Sequence, residues 1–260
     1  NGWCDLADIF IRQGADPCVD TAAGISPRVI ALLFGNDKLA DMLGKLDTRP
    51  LPEPLPRLLG TELHEAVKAG DARLVRELLD LGANPDGDDW GLVDLYEPSH
   101  SPLGDVAYHF PEKEAVQVSH WLLESGADIG RHGDGWASLH SAAVMGMPEL
   151  VKLLLSAGAD PDQVSVEGWT PMSAALQSKN RKAAGECMLA LLRYGAPLAL
   201  PCRYRGYQDE SYQPIIRLIT DHRGDVLSFL LGHGVPADIR DDHRRTLLHY
   251  AAAFGDEGKL

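Results

Sequence analysis

The phrase LVRELLDLGANP at residues 74–85 returns as VSHWLLESGADI at 118–129, LVKLLLSAGADP at 150–161 and MLALLRYGAPL at 188–198. Looser copies stand at 6–17, LADIFIRQGADP, and at 226–237, VLSFLLGHGVPA. Self-similarity of this kind constrains the fold more than any composition, because one short unit cannot bury its apolar face alone and neighbours must stack to do so. Each phrase reads as an amphipathic helix whose paired leucines face inward. The glycine that follows, Gly82, Gly126, Gly158, Gly195 or Gly234, is expected to take the left-handed cap conformation.

Upstream of these helices lies a second phrase: GISPRVIAL (24–32), TELHEAV (61–67), SPLGDVA (101–107), ASLHSAA (137–143), TPMSAAL (170–176), QPIIRLI (213–219) and TLLHYAA (246–252). A hydroxyl residue can cap a helix, proline fits its first turn, and small alanines let a short inner helix approach its neighbours. The two phrases together describe an inner helix followed by an outer one, over and over. This pairing resembles the ankyrin repeat, whose inner helix opens T-P-L-H-x-A and whose period is 33 residues. The resemblance covers essentially the whole chain. It implies an all-α ankyrin-repeat solenoid of stacked helix–turn–helix units with β-turn or hairpin fingers, and a variable concave edge used for recognition.

Counted from Ser26, Thr61, Ser101, Ala137, Thr170, Gln213 and Thr246, the steps are 35, 40, 36, 33, 43 and 33 residues. A single repeat domain is expected over 1–260, with units near 1–20 (partial), 21–50, 58–87, 98–131, 134–164, 167–200, 210–240 and 243–260 (partial). The first copy opens inside an outer helix and the last stops as one begins, so the array is expected to have been cut from a longer one. Extra length falls in a proline-rich connector (46–60), a lengthened finger (86–101), an inter-helix turn (108–117) and a second long finger (198–212). Insertions in repeat arrays map to loops, often on the binding face.

The formal charge is −14, from 38 acidic against 24 basic residues, which favours cationic partners and disfavours nucleic acid or anionic lipid. No apolar run approaches the roughly 18 residues of a membrane span. The opening NGWCDLADIF carries no signal-peptide pattern, and four cysteines stand singly without a CxxC pair, so a reducing, cytoplasmic setting is expected. No P-loop, G-x-G-x-x-G or G-x-S-x-G occurs. His64, His140 and His249 sit at the histidine position of the T-P-L-H phrase, where the resemblance implies hydrogen bonds tying inner-helix starts together. His120 and Glu124 lack a third ligand, and Cys187, expected at the head of an outer helix, and Cys202 lack a dyad partner. No enzyme, catalytic residue, cofactor or metal is therefore expected.

Asp16, Asp128 and Asp160 belong to the repeated G-A-D ending and are expected to bond their own turns. The finger acids Asp86, Asp88, Asp89, Asp134, Glu167, Asp209, Glu210, Asp241 and Asp242 are either a solvated charge run or an acidic rim facing a basic partner. The residue just before the inner helix reads Ile25, Gly60, His100, Trp136, Trp169, Tyr212 and Arg245. Four consecutive rings there are expected to form a ladder, with Trp90, Tyr204, Arg205 and Tyr207 in the flanking fingers. The rings either pack on one another or grip a partner, and the second reading is preferred because Trp, Tyr and Arg dominate binding hot spots. The expected function is non-catalytic binding of a protein with a basic patch. The alternatives are an immunity or inhibitor-type protein that blocks a toxin or enzyme, and the targeting arm of a larger multidomain protein.

Overall fold

The computed structural model describes residues 2–20, 26–33, 36–48, 55–87, 101–130, 136–165, 168–197, 214–220, 222–240 and 243–254. Within them the chain is helical: α1 (Gly2–Arg12), α2 (Pro27–Leu33), α3 (Asp37–Gly44), α4 (Leu55–Lys68), α5 (Ala72–Asp80), α6 (Pro102–His109), α7 (Glu112–Glu124), α8 (Ser138–Met145), α9 (Pro148–Ser156), α10 (Pro171–Ala175), α11 (Arg181–Arg193), α12 (Pro214–Thr220), α13 (Gly224–Gly232) and α14 (Leu247–Phe254). Even-numbered inner helices pack on the odd-numbered outer helices that follow them, and helices of one row pack on the next of their row, as in α4–α6–α8–α10 and α5–α7–α9–α11–α13. Among the described residues the only β-pairing is an isolated bridge, Arg240 to Thr246.

The local chemistry that starts and stops these helices is the chemistry of the repeated phrases. Ser101 Oγ accepts from the Gly104 N–H at 3.2 Å, and Thr170 with Ser173 forms a reciprocal capping box, each satisfying donors that a helix start leaves unpaired. Pro102 and Pro171 occupy first turns, where no intrahelical donor is lost. At the other ends Gly82, Gly126, Gly158, Gly195 and Gly234 all have φ between +85° and +100°, the left-handed region closed to most side chains. Ala137 occupies the hydroxyl position of α8 and makes no side-chain cap.

Two expectations need correction. The connector 46–60 is not wholly extended: α4 begins at Leu55, so Thr61 lies in mid-helix rather than at its start. Leu59 and Leu63, one turn apart, are both buried, and this apolar stripe carries the helix back past Thr61. Cys187 does not head an outer helix; it sits midway along α11, fully buried.

Among the described residues, buried apolar side chains form two clusters. The larger runs from Leu59 through Val75, Val118, Leu139, Leu154 and Leu191 to Leu218 and Tyr250, one continuous core along the stack. The smaller consists of Ala31, Ala40 and Leu43 and is confined to α1–α3. A groove of about 550 Å³ opens beside it, walled by Phe10, Ile11, Val19, Ile30, Leu39 and Leu43.

Candidate functional site

Where the finger joins α10, Ser165 and Trp169 close a tight turn. The Ser165 N–H donates to the Trp169 carbonyl at 2.8 Å, and the Trp169 N–H donates to Ser165 Oγ at 3.0 Å. Gly168, between them, has φ +85°, which is why a glycine precedes the tryptophan. The Trp169 carbonyl accepts a second bond, 3.0 Å from Nε2 of His140 on α8, which fixes that histidine as the Nε2–H tautomer. A buried histidine of one repeat thus anchors the finger of the next. His64 does a comparable task one step earlier, donating Nε2–H to the buried Asp105 carboxylate on α6 at 2.7 Å. His249 differs: its Nδ1 accepts from the Thr246 N–H at 3.1 Å within its own repeat.

His140 also supports the ring before it. The Trp136 ring lies over the imidazole, with centroids 5.1 Å apart and planes tilted by 34°. Trp136 meets Trp169 edge to face, at 6.4 Å and 71°, the arrangement that ring quadrupoles favour. Both indoles are half-buried. The Trp136 Nε1–H donates to two oxygens, Tyr108 Oη and Ser141 Oγ, each at 3.1 Å. Trp136 and Trp169 are therefore brought together as adjacent rungs. Of the other residues singled out in the sequence, Asp88, Asp89, Trp90, His100, Asp134, Glu167, Tyr204, Arg205, Tyr207 and Tyr212 lie outside the described residues, as do Cys202, Asp209, Glu210, Asp241 and Asp242.

Tyr108 was not singled out from the sequence, although its side chain is 39% exposed and completes the ring group. It stands seven residues after Ser101, where the other repeats carry Lys68, Val144 and Gln177. A ring among unlike residues is a weak signal in sequence. What gives it meaning is the bond to Trp136, 28 residues away.

The finger stems carry acids in regular positions. Asp16, Asp128 and Asp160 each accept a backbone N–H two residues on, from Cys18, Gly130 and Asp162, at 2.8–3.0 Å. Asp86, four residues after Gly82, accepts the N–H of Asp128 in the next repeat at 2.8 Å. Asp162 holds the same position after Gly158, but the residue corresponding to Asp128 is now Pro197, which has no N–H. Asp162 Oδ1 is buried with no hydrogen-bond partner among the described residues. Burial, and next the Asp160 carboxylate, push the Asp162 acid upward.

The remaining titratable groups are structural in their settings. Burial pushes the Cys187 thiol up to about 12, with Glu112 and Glu186 adding to the effect, so no thiolate is available at neutral pH. His120 and Glu124 form an exposed pair at 3.4 Å. Among the described residues no three His, Cys, Asp or Glu side chains are grouped to hold a metal ion, and no helix is long and apolar enough to cross a membrane. Outer-helix cations are matched locally: Arg73 with Glu77 at 2.9 Å, Arg76 with Asp80 at 3.2 Å and Lys152 with Glu149 at 2.7 Å.

The family model for ankyrin repeats, in three copies, matches residues 105–201, and the single ankyrin repeat model matches 61–90. The chain is 29% identical over 179 residues to the E3 ubiquitin-protein ligase Ufd4 of Drosophila melanogaster, covering 65% of this chain and 6% of that protein. It is 31% identical over 137 residues to the E3 ubiquitin-protein ligase KEG of Arabidopsis thaliana, covering 51% and 8%. With the human ankyrin repeat and SOCS box protein 3 it shares 25% identity over 195 residues, covering 73% and 34%. The chain thus spans a small part of the length of these relatives. Ankyrin repeats generally mediate protein–protein interaction and are generally non-catalytic. The paired inner and outer helices, the left-handed glycines, the histidine-anchored finger and the matching family models together make this chain a member of the ankyrin repeat family.

Proposed function

We propose that the chain is a non-catalytic binding module that takes a protein partner carrying a basic patch against the concave face and fingers of its repeats. The observation that carries this reading is the ring group of Trp136, Trp169 and Tyr108, half-exposed and held rigid by Ser141 and His140. Rigid aromatics bind with little loss of rotamer freedom, which is why they dominate hot spots. The charge of −14 supports a basic partner, and local pairing of outer-helix cations leaves the excess acid elsewhere. On this reading Asp88, Asp89, Asp134 and Glu167 form the acidic rim, and His100, Trp90, Tyr204, Arg205, Tyr207 and Tyr212 extend the gripping edge.

The test is capture from native lysate by crosslinking, comparing the chain with its Trp136→Ala/Trp169→Ala variant, followed by stopped-flow association with each purified partner. The expected result is a protein retained by the parent and lost by the variant, with an association rate that falls steeply as salt rises while dissociation changes less. Partners that bind both forms equally, or a rate indifferent to salt, would refute it.

A second reading, the targeting arm of a larger protein, is favoured by one observation: matches to two E3 ubiquitin-protein ligases cover only 6% and 8% of those proteins. The module would then select what the rest of the polypeptide acts on. Sequencing the full transcript tests it, and a reading frame with no second domain sinks it.

A further inference from the structure

We infer that the group formed by Trp136, Trp169 and Tyr108 is a receptor for an arginine side chain of the partner; this rests on the protein-binding reading above and names the chemical group gripped. The two indoles stand nearly perpendicular, at 71°, so the pair turns π faces in two directions instead of stacking both away. Each is half-buried, which leaves ring surface for a visitor while His140 and the neighbouring oxygens hold the geometry.

The polarity of this surface selects a cation. The Trp136 Nε1–H is already given to Tyr108 Oη and Ser141 Oγ, so its indole meets an incoming anion with no spare donor. Donating that proton also enriches the π cloud, which strengthens its attraction for positive charge. On the stem of the Trp169 finger, three residues before Ser165, stands Asp162, whose Oδ1 lost its place in the inter-repeat bonding to Pro197. The Asp160 carboxylate adjoins it in the same turn. A π surface with carboxylates beside it, on a chain of charge −14, is complementary to a basic side chain.

Guanidinium fits this surface better than ammonium. It is planar, weakly hydrated and stacks on aromatic faces while its edge stays free to bond a carboxylate, whereas ammonium is a compact, strongly hydrated point charge. The chain already uses this pairing twice within its own fold, with the Arg76 guanidinium 5.5 Å from the Trp121 ring centroid and that of Arg245 5.0 Å from Tyr250. An arginine from a partner would repeat that contact on the finger edge.

The test titrates the full chain with blocked pentapeptides, Gly-Gly-X-Gly-Gly, where X is arginine, citrulline, lysine or norleucine. The readout is the indole N–H signals in two-dimensional NMR, with Trp121 as the internal control. The arginine peptide is expected to move the Trp136 and Trp169 signals saturably and to bind about ten-fold or more tighter than the citrulline peptide, which keeps the shape and lacks the charge. Trp169→Leu should abolish the response without altering the far-UV spectrum, and the peptide comparison on the parent chain needs no variant at all. Norleucine binding as well as arginine would make the site an apolar anchor, lysine binding as well would remove the preference for guanidinium, and no movement with any peptide would remove the receptor; each overturns the inference. Ring-dependent capture of a protein partner with no arginine response sinks this inference alone, while loss of both sinks the protein-binding reading too.

Discussion

The contact between Trp136 and Trp169 links two adjacent repeats, and its worth can be measured as a coupling energy. A fully buried aromatic truncated to alanine costs about 3–5 kcal/mol; Trp136 is half-buried, so about 2 kcal/mol is the share expected from its lost packing. Its Nε1–H adds about 1 kcal/mol, because removing it leaves the buried Ser141 hydroxyl without that donor. Trp136→Ala should thus cost ~3 kcal/mol, well above the roughly 0.5 kcal/mol of an ordinary surface change. Trp169→Ala keeps the backbone bonds that close the finger, since these use its N–H and carbonyl, and should cost less, about 1–2 kcal/mol. Because the rings touch at 6.4 Å, each truncation also removes the partner's edge contact, and the double variant should fall short of the sum by about 0.5–1.5 kcal/mol. Urea unfolding of the four proteins, followed by far-UV circular dichroism with a common slope, gives this coupling directly. A coupling within about 0.3 kcal/mol of zero would mean that the rings do not stabilise one another, and the edge-to-face step would have no energetic content.

Leu154→Ala, in the middle of α9 at 1% exposure, should cost about 2–5 kcal/mol as a cavity in the continuous core, read by the same unfolding assay; an unchanged midpoint would mean that α9 does not face the stack. Gly185→Ala should destabilise α11 against α13, because its Cβ would stand 2.9 Å from the Phe229 ring; a variant that melts with the parent would show that Phe229 yields freely. For Asp162 the acid is raised in the fold, so its stabilising share is complete below the unfolded carboxylate value and is lost as pH rises through the folded one. Asp162→Asn should therefore melt above the parent at pH 7, the gap narrowing as pH falls through the carboxylate range, and a gap that widens in acid would reverse the sign of the argument. Pro197→Ala, which supplies an N–H where the preceding repeats have Asp128, should lower the Asp162 acid in an NMR titration; an unmoved titration would show that proline is not what orphans it.

The repeat, its helix pairing and its punctuation were legible in the sequence because each is a local property. Glycine in the left-handed cap, proline in the first turn, a hydroxyl at the helix start and aspartate bonding two residues on all involve neighbours along the chain. The neighbourhood of Trp136 and Trp169 was legible too, since equal register in adjacent repeats becomes adjacency once they stack. What only the tertiary structure decided lies between repeats. Tyr108 reaches Trp136 across 28 residues, His64 reaches Asp105 across 41, and Asp86 reaches the Asp128 backbone across 42. Such bonds depend on the offset and tilt with which one unit sits on the next, and the repeat phrase, blind to that offset, specifies neither. The early start of α4 has the same cause: Thr61 is able to begin a helix, but burying Leu59 on the neighbouring unit outweighs the cap. Asp162 has it as well, since its side chain follows the pattern and only the proline of the next repeat leaves it without a partner.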